Sequence, residues 1–292
     1  MSRALAAWNR FFHAPSGGQR IAAVRVALSL YLLAYFGSMA AHVPLLFSSE
    51  GVYLPYLVPD YAPPQAVAVA LFALMVGATG ALLLGYRTAL FAPLLLALFL
   101  HHYFLQLAVK QSSFDRLIAL DLLVLCFANS GRVFGLDARR GPAPARWPER
   151  VLAIQTVMLY SGAGLWKLFN PGWHSGVLLY ANLQGMWATP LAFTWVQQDL
   201  PPAFWAVSSW LIIALELLLG PLLIMRRTRP IALVLGAGFH LVNCVVLVIP
   251  EFLVCLASYP VFVREATLQR GFERVARLAQ RLKRPAATES AG

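Results

Sequence analysis

The chain has 292 residues, of which 60% are hydrophobic and 12% charged, about half the charged share of a soluble domain. With a mean hydropathy of +0.68, this balance excludes an ordinary soluble fold, a disordered chain and a collagen-like or repeat architecture, and it puts most of the chain in lipid. The formal charge of +11 falls in short clusters between apolar runs rather than along one soluble face, so membrane topology explains it and nucleic acid does not.

The basic N-terminus (Arg3, Arg10, Arg20, Arg25) runs into a first apolar stretch over 21–41. That stretch is longer than a signal-peptide core and starts too far into the chain, so it predicts a retained span. Further spans are expected over 65–84, 88–109, 114–128, 150–169, 204–225, 231–249 and 252–263, the last short enough to tilt or re-enter. Lys and Arg cluster at the N-terminus, at Arg87, across 132–150, across 226–229 and from 264 onward, whereas 42–64 and 170–203 hold neither. Positive charge is retained on the cytoplasmic side, so the alternation predicts an all-α polytopic transmembrane helix bundle of about eight spans with both termini cytoplasmic. The outer loops carry Trp173, Tyr180, Trp187, Trp195, Pro201 and Pro202, suited to an interfacial belt. In the tail, Leu268, Phe272, Val275, Leu278 and Leu282 recur at helical spacing opposite Arg and Lys. This is a basic amphipathic helix that lies on an anionic leaflet or binds a partner helix. Cys126, Cys244 and Cys255 sit in apolar stretches without CxxC spacing and read as core residues.

Ionisable groups are costly in lipid, so those left inside spans are the first functional candidates. Asp121, Glu216 and His240 fall near mid-depth and Lys167 near the outer end of the fifth span, in LYSGAGLWKLFNPGW. Tyr160, Gly164 and Lys167 are at i, i+4 and i+7 and share a face, and the small residues from Ser161 to Gly164 admit a neighbouring helix or a flat ligand. Lys167 has two readings: a snorkelling lysine near a helix end, or a general base whose apolar neighbours Leu165, Trp166, Leu168 and Phe169 disfavour its charged form. Glu216 and His240 match in depth on consecutive antiparallel spans and are expected to meet, as a structural clamp or a proton relay. Asn243 lies one turn from His240. His101 and His102 point to different faces, and no spacing makes a convincing metal site. GxSxG, P-loop and GxGxxG fingerprints are absent.

Two ordered stretches resemble a known family. IQTVMLYSGAGLWKLFNPGWHSG, from Ile154 to Gly176, is similar to the segment of vitamin K-dependent gamma-glutamyl carboxylase and its bacterial HTTM relatives in which a Tyr and small residues precede Lys-Leu and then a Trp with a following Gly. GFHLVNCVVLVIPEFLVCLASYPVF, from Gly238 to Phe262, resembles the family's Phe-His-x-x-Asn helix and the Ala-Ser-x-Pro-x-Phe after it. The opening before AAVRVALSLYLL and the Gly85-Tyr86-Arg87 turn fit the same pattern. The likeness covers nearly the whole chain and divides it into an HTTM-like membrane domain, 1–263, and the basic tail, 264–292.

The resemblance implies an integral membrane protein of the bacterial inner membrane with a site on its extracytoplasmic side. There, Lys167 matches the family's base, which deprotonates reduced vitamin K, a menaquinol-type hydroquinone. Oxygen then yields a strongly basic alkoxide that removes a proton from glutamate before carbon dioxide adds. By the same matching His240 and Asn243 belong to the helix beside the site, and with Tyr160 and Trp173 they are the expected quinone-binding residues; Glu216, from its depth, is a structural or relay group, and no metal is expected. Two departures stand out: Ser112 and Ser113 replace an Asn-His pair of the animal enzymes, and the chain stops after its tail where those enzymes continue into a lumenal region. A separate protein is therefore expected to supply the missing domain or the substrate, with lipids and a lipid quinone as the other partners. The alternative is a non-catalytic lipid- or quinone-binding membrane module, or a transporter, although no internal repeat favours transport.

Overall fold

The computed structural model describes residues 2–52, 61–106, 112–138 and 144–282. The expected end of the third span at Val109, Asp60, Arg139 and the tail beyond residue 282 lie outside them. Among the described residues there is no strand, only two isolated bridges. The helices in chain order are α1 (Arg3–His13), α2 (Gln19–Met39), α3 (Val43–Phe47), α4 (Gln65–Leu83), α5 (Thr88–Gln106), α6 (Ser113–Cys126), α7 (Trp147–Leu168), α8 (Pro171–His174), α9 (Val177–Asn182), α10 (Pro190–Val196), α11 (Pro202–Ile224), α12 (Arg229–Val246), α13 (Val254–Ala257) and α14 (Glu265–Leu282).

Six helical stretches among the described residues are long and apolar enough to cross a membrane: Gln19–Phe47, where a turn joins α2 to α3, and α4, α5, α7, α11 and α12. The expected fourth span is α6, whose 14 residues reach only about 21 Å, less than a hydrocarbon core of about 30 Å. The expected eighth span is not one helix. Pro250 and Pro260 each open a short 3₁₀ turn, Pro250–Leu253 and Tyr259–Phe262, on either side of the four-residue α13. Proline lacks an N–H to continue a ladder, so the run folds as three pieces inside the bundle, where Val254, Cys255, Val261 and Phe262 are buried.

Small residues bring the central helices together. A Cβ at Gly164 would lie 2.8 Å from Leu217 Cγ and 2.9 Å from its backbone N, and one at Gly220 would lie 2.6 Å from Ser161 Oγ. The narrow strip on α7 is therefore filled by α11 and not by a ligand. A second fixture is Arg25, fully buried in α2. Its guanidinium donates to the carbonyls of Leu82, Leu83, Ser130 and Phe134, so it satisfies the C-terminal carbonyls of α4 and ties two loops to α2. Gly85, at φ 63°, makes room for it, since a Cβ there would lie 3.0 Å from Arg25 Cζ as well as 2.6 Å from Gly135 Cα. Asp121, also fully buried, accepts from Gln155 Nε2 at 2.7 Å and from Ser258, and links α6, α7 and the broken segment.

The two ends of the bundle differ. At the basic end, Ser16 donates to Glu149, Arg20 pairs with Glu149 at 3.2 Å and Glu265 at 3.5 Å, and Phe272 of α14 stacks on Phe134 at 3.8 Å. The opposite end, made from 170–203, folds into a cap. Thr189 N donates to Val246 O at 3.1 Å and Val248 N to Trp187 O at 2.6 Å. Leu183, Ala192, Trp205 and Val246 form a small core that seats α9 and α10 on α11 and α12.

Candidate active site

Beneath that cap lies a cavity of about 360 Å³ walled by α6, α7, α9, α11, α12 and the broken segment. Its lining is mostly apolar, with Phe114, Leu159, Ile212, Phe239, Leu247 and Phe252 among the wall residues. Six of the residues singled out in the sequence, Tyr160, Lys167, Trp173, Glu216, His240 and Asn243, line this one space, whereas Asp121 is not among its lining residues.

Helical spacing explains the α7 contribution. Tyr160 and Lys167 share a face two turns apart, and Gly164 between them lets α11 close in until Lys167 Nζ is 2.6 Å from Glu216 Oε2. The pair is withdrawn from solvent, with side-chain exposures of 14% and 6%. Lys167 Nζ also lies 5.0 Å from the centroid of the Trp173 ring, within cation–π range. Trp173 is set there by α8, whose N-cap Asn170 accepts from Gly172 N at 3.1 Å. The ammonium is thus turned inward onto a carboxylate and an aromatic face.

One level away, Tyr160 Oη is 2.5 Å from His240 Nε2 and 2.6 Å from Tyr259 Oη. Gly236, one turn before His240, admits Tyr259: a Cβ there would lie 2.0 Å from its hydroxyl. Tyr160 has one proton to give, so two hydrogen-bond orders are open. Either Tyr160 donates to Nε2 and His240 carries its proton on Nδ1, or Nε2–H donates to Tyr160 and Nδ1 is an acceptor. In both orders His240 Nδ1 is left over: it is buried without a partner, and so is Trp173 Nε1. Buried polar atoms are rarely left unsatisfied, and two in the wall of one cavity suit a ligand with polar groups on an apolar body.

The expected contact between Glu216 and His240 is not formed. Depth matched them, but rotation about the helix axes gave both of them to α7, Glu216 to Lys167 and His240 to Tyr160. Asn243 lines the cavity while its amide donates back to Phe239 O at 2.8 Å. Of the two serines at the start of α6, Ser112 caps the helix and Ser113 reaches the cavity wall. Sequence reading missed Tyr259, whose only signal is its place in the motif ASYPVF. It also missed the aromatic wall of Phe114 and Phe252, which nothing distinguishes from other lipid-facing phenylalanines. His102 bonds its own helix at Leu98 O and stands apart from the cavity.

The fold and the site together define an all-helical, polytopic integral membrane protein with a charged pair held at the wall of an apolar cavity. The chain belongs to the HTTM domain family, whose model matches residues 18–266. Neither a search of curated proteins nor a search of solved structures found a match.

Proposed function

We propose that this protein is a membrane enzyme of the carboxylase-like kind, using Lys167 as a base toward a reduced, vitamin K-type quinone. The observation that carries the reading is the Lys167–Glu216 pair, 2.6 Å apart and under the Trp173 ring, at the wall of a cavity of about 360 Å³. The residues fit such a ligand. The volume is within the usual range for small-molecule sites, the walls suit a flat apolar ring, and Trp173 Nε1 and His240 Nδ1 are two buried polar atoms waiting for partners.

When bound, the hydroquinone supplies the electrons that reduce oxygen, and the family resemblance implies that carbon dioxide is fixed afterwards. The chain's own residues manage the first proton. Lys167 Nζ receives it from a phenolic oxygen while handing one of its own to Glu216 Oε2, so Lys167 ends with the charge it began with and Glu216 ends neutral. A lone charged lysine is no base, and the carboxylate at 2.6 Å gives the pair its capacity to accept. Tyr160, fixed between His240 and Tyr259, holds the imidazole in one orientation against the ligand. The same reading has the chain in the bacterial inner membrane with both termini cytoplasmic.

A second reading is a non-catalytic quinone- or lipid-binding module. It is favoured by the closeness of the ion pair itself, since a pair at 2.6 Å also clamps α7 to α11. Binding tests what the two readings share. Protein purified in nanodiscs and incubated with menaquinone should retain about one quinone per chain. Trp173→Ala or His240→Ala should weaken retention about tenfold, the worth of one hydrogen bond at a desolvated site. Retention of phospholipid but no quinone by the wild type would overturn both quinone readings.

A further inference from the structure

The basic end holds a group of arginines that the proposed chemistry does not use. Arg146 and Arg150 stand at the start of α7, and Arg226 and Arg229 at the turn between α11 and α12. Gly164 meets Leu217 and Gly220 meets Ser161 and Val157, so α7 and α11 run antiparallel and the start of α7 lies beside the end of α11; there the charges of Arg146, Arg20 and Arg226 act on Arg150, and those of Arg20, Arg226 and Arg150 on Arg229. Glu149 also acts on Arg150, but its oxygens are engaged by Ser16 and by Arg20, and Glu265 is likewise engaged by Arg20. None of Arg146, Arg150, Arg226 and Arg229 is ion-paired among the described residues.

Three of the guanidinium groups are held in place by uncharged contacts. Arg229 donates to Leu223 O at 2.8 Å and Ile224 O at 3.0 Å, Arg146 donates to Pro15 O at 3.2 Å, and Arg150 lies 4.4 Å over the Phe11 ring. Nε of Arg146 and Nε of Arg150 are buried without a partner. Arg146 and Arg150 flank the N-terminus of α7 and Arg226 and Arg229 that of α12, and neither helix has a side-chain cap. Like charges gathered with unused donors beside two uncapped helix N-termini are the chemistry that holds an anion.

The surroundings say which anion. Ile154, one turn from Arg150 on α7, is exposed, as are Ile224 and Ile231 beside Arg226 and Arg229, so an apolar strip begins where the arginines end. Nearby, α1, which packs on α7, leaves Leu5 and Trp8 uncovered, and α14, which packs on α2, leaves Val275 and Leu278 uncovered. Both helices carry basic residues beside these apolar ones, the composition of helices that lie at a bilayer surface. A free phosphate would use the arginines and ignore the strip, whereas a phospholipid uses both.

We infer that Arg146, Arg150, Arg226 and Arg229 form a binding site for the phosphate of an anionic phospholipid, whose acyl chains run along Ile154, Ile224 and Ile231. The site is independent of the quinone reading and lies at the opposite end of the bundle from the cavity. Its test uses the delipidated full chain in neutral detergent, with phosphatidylglycerol, phosphatidylcholine or inorganic phosphate added, read by native mass spectrometry and by thermal unfolding. Phosphatidylglycerol should stay bound and raise the unfolding midpoint, and phosphatidylcholine should do neither. Arg150→Gln with Arg226→Gln should lower retention at least about tenfold, whereas Arg87→Gln with Arg116→Gln, an equal charge loss at exposed positions outside the cluster, should leave it. Arg226→Gln alone, at an exposed position, serves if the double variant fails to fold. Stabilisation by millimolar inorganic phosphate with no further gain from lipid would uphold an anion site but overturn the lipid. Equal retention of phosphatidylglycerol and phosphatidylcholine, or the same loss in the Arg87→Gln, Arg116→Gln variant, would overturn the site.

Discussion

Glu216 and Lys167 were conspicuous in the sequence for the same reason that they matter in the structure: a charge in an apolar run is costly unless something neutralises it. Depth along a helix can be counted from the sequence, so both were legible as residues near one level of the bundle. Which way each turns cannot be counted, and for that reason Glu216 was expected opposite His240 and is found on Lys167. Tyr160 and His240 were legible as candidates through their motifs, but their bond to each other depends on Gly236 admitting Tyr259. The pairing makes a prediction at this scale. Glu216→Gln leaves a buried ammonium uncompensated and should cost about 3 kcal/mol. Adding Lys167→Met removes the stranded charge, so the double variant should unfold at a higher temperature than Glu216→Gln alone. Additive losses in the two single variants would show that the pair contributes no coupling.

Among the elements, α7 and α11 decide whether the site exists. Their approach is set by Gly164 and Gly220, and the sequence signalled it through the small residues of SGAG without saying whether a helix or a ligand would fill the strip. Gly164→Ala places a carbon 2.9 Å from a backbone nitrogen that cannot move aside as a side chain would. It should destabilise by about 1–3 kcal/mol and weaken quinone retention. Gly162, two residues away, faces open space, with nothing within 4 Å of where a Cβ would sit, so Gly162→Ala should leave both unchanged. Equal unfolding temperatures for the two variants would contradict close packing at Gly164. The long spans were legible because hydropathy and length suffice to define them. The region 250–262 was not, because its apolar composition resembles a span while Pro250 and Pro260 divide it. Arg25 was legible only as one more positive charge, since nothing in the sequence shows that four carbonyls converge on it.

For the molecule as a whole, the alternation of basic clusters predicts that Asn182 faces outward and that Arg139 and the C-terminus face the cytoplasm. Ser48, an outward position on the same reasoning, is 2% exposed and a poor reporter, whereas Asn182 is exposed. Single-cysteine variants treated with an impermeant thiol reagent on intact cells should be modified at 182 and protected at 139; the reverse would turn the bundle over and put the Lys167 cavity at the inner leaflet. The central claim is chemical and rests on Lys167 being able to give up and regain a proton. Its most direct test is oxygen consumption driven by reduced menaquinone in proteoliposomes, comparing the wild type with Lys167→Arg. Arginine keeps the cation beside Glu216 and under Trp173 but cannot act as a neutral base. The variant should bind quinone and lose turnover by about 10² to 10⁴, and a Lys167→Arg protein that consumes oxygen at the wild-type rate would contradict the account.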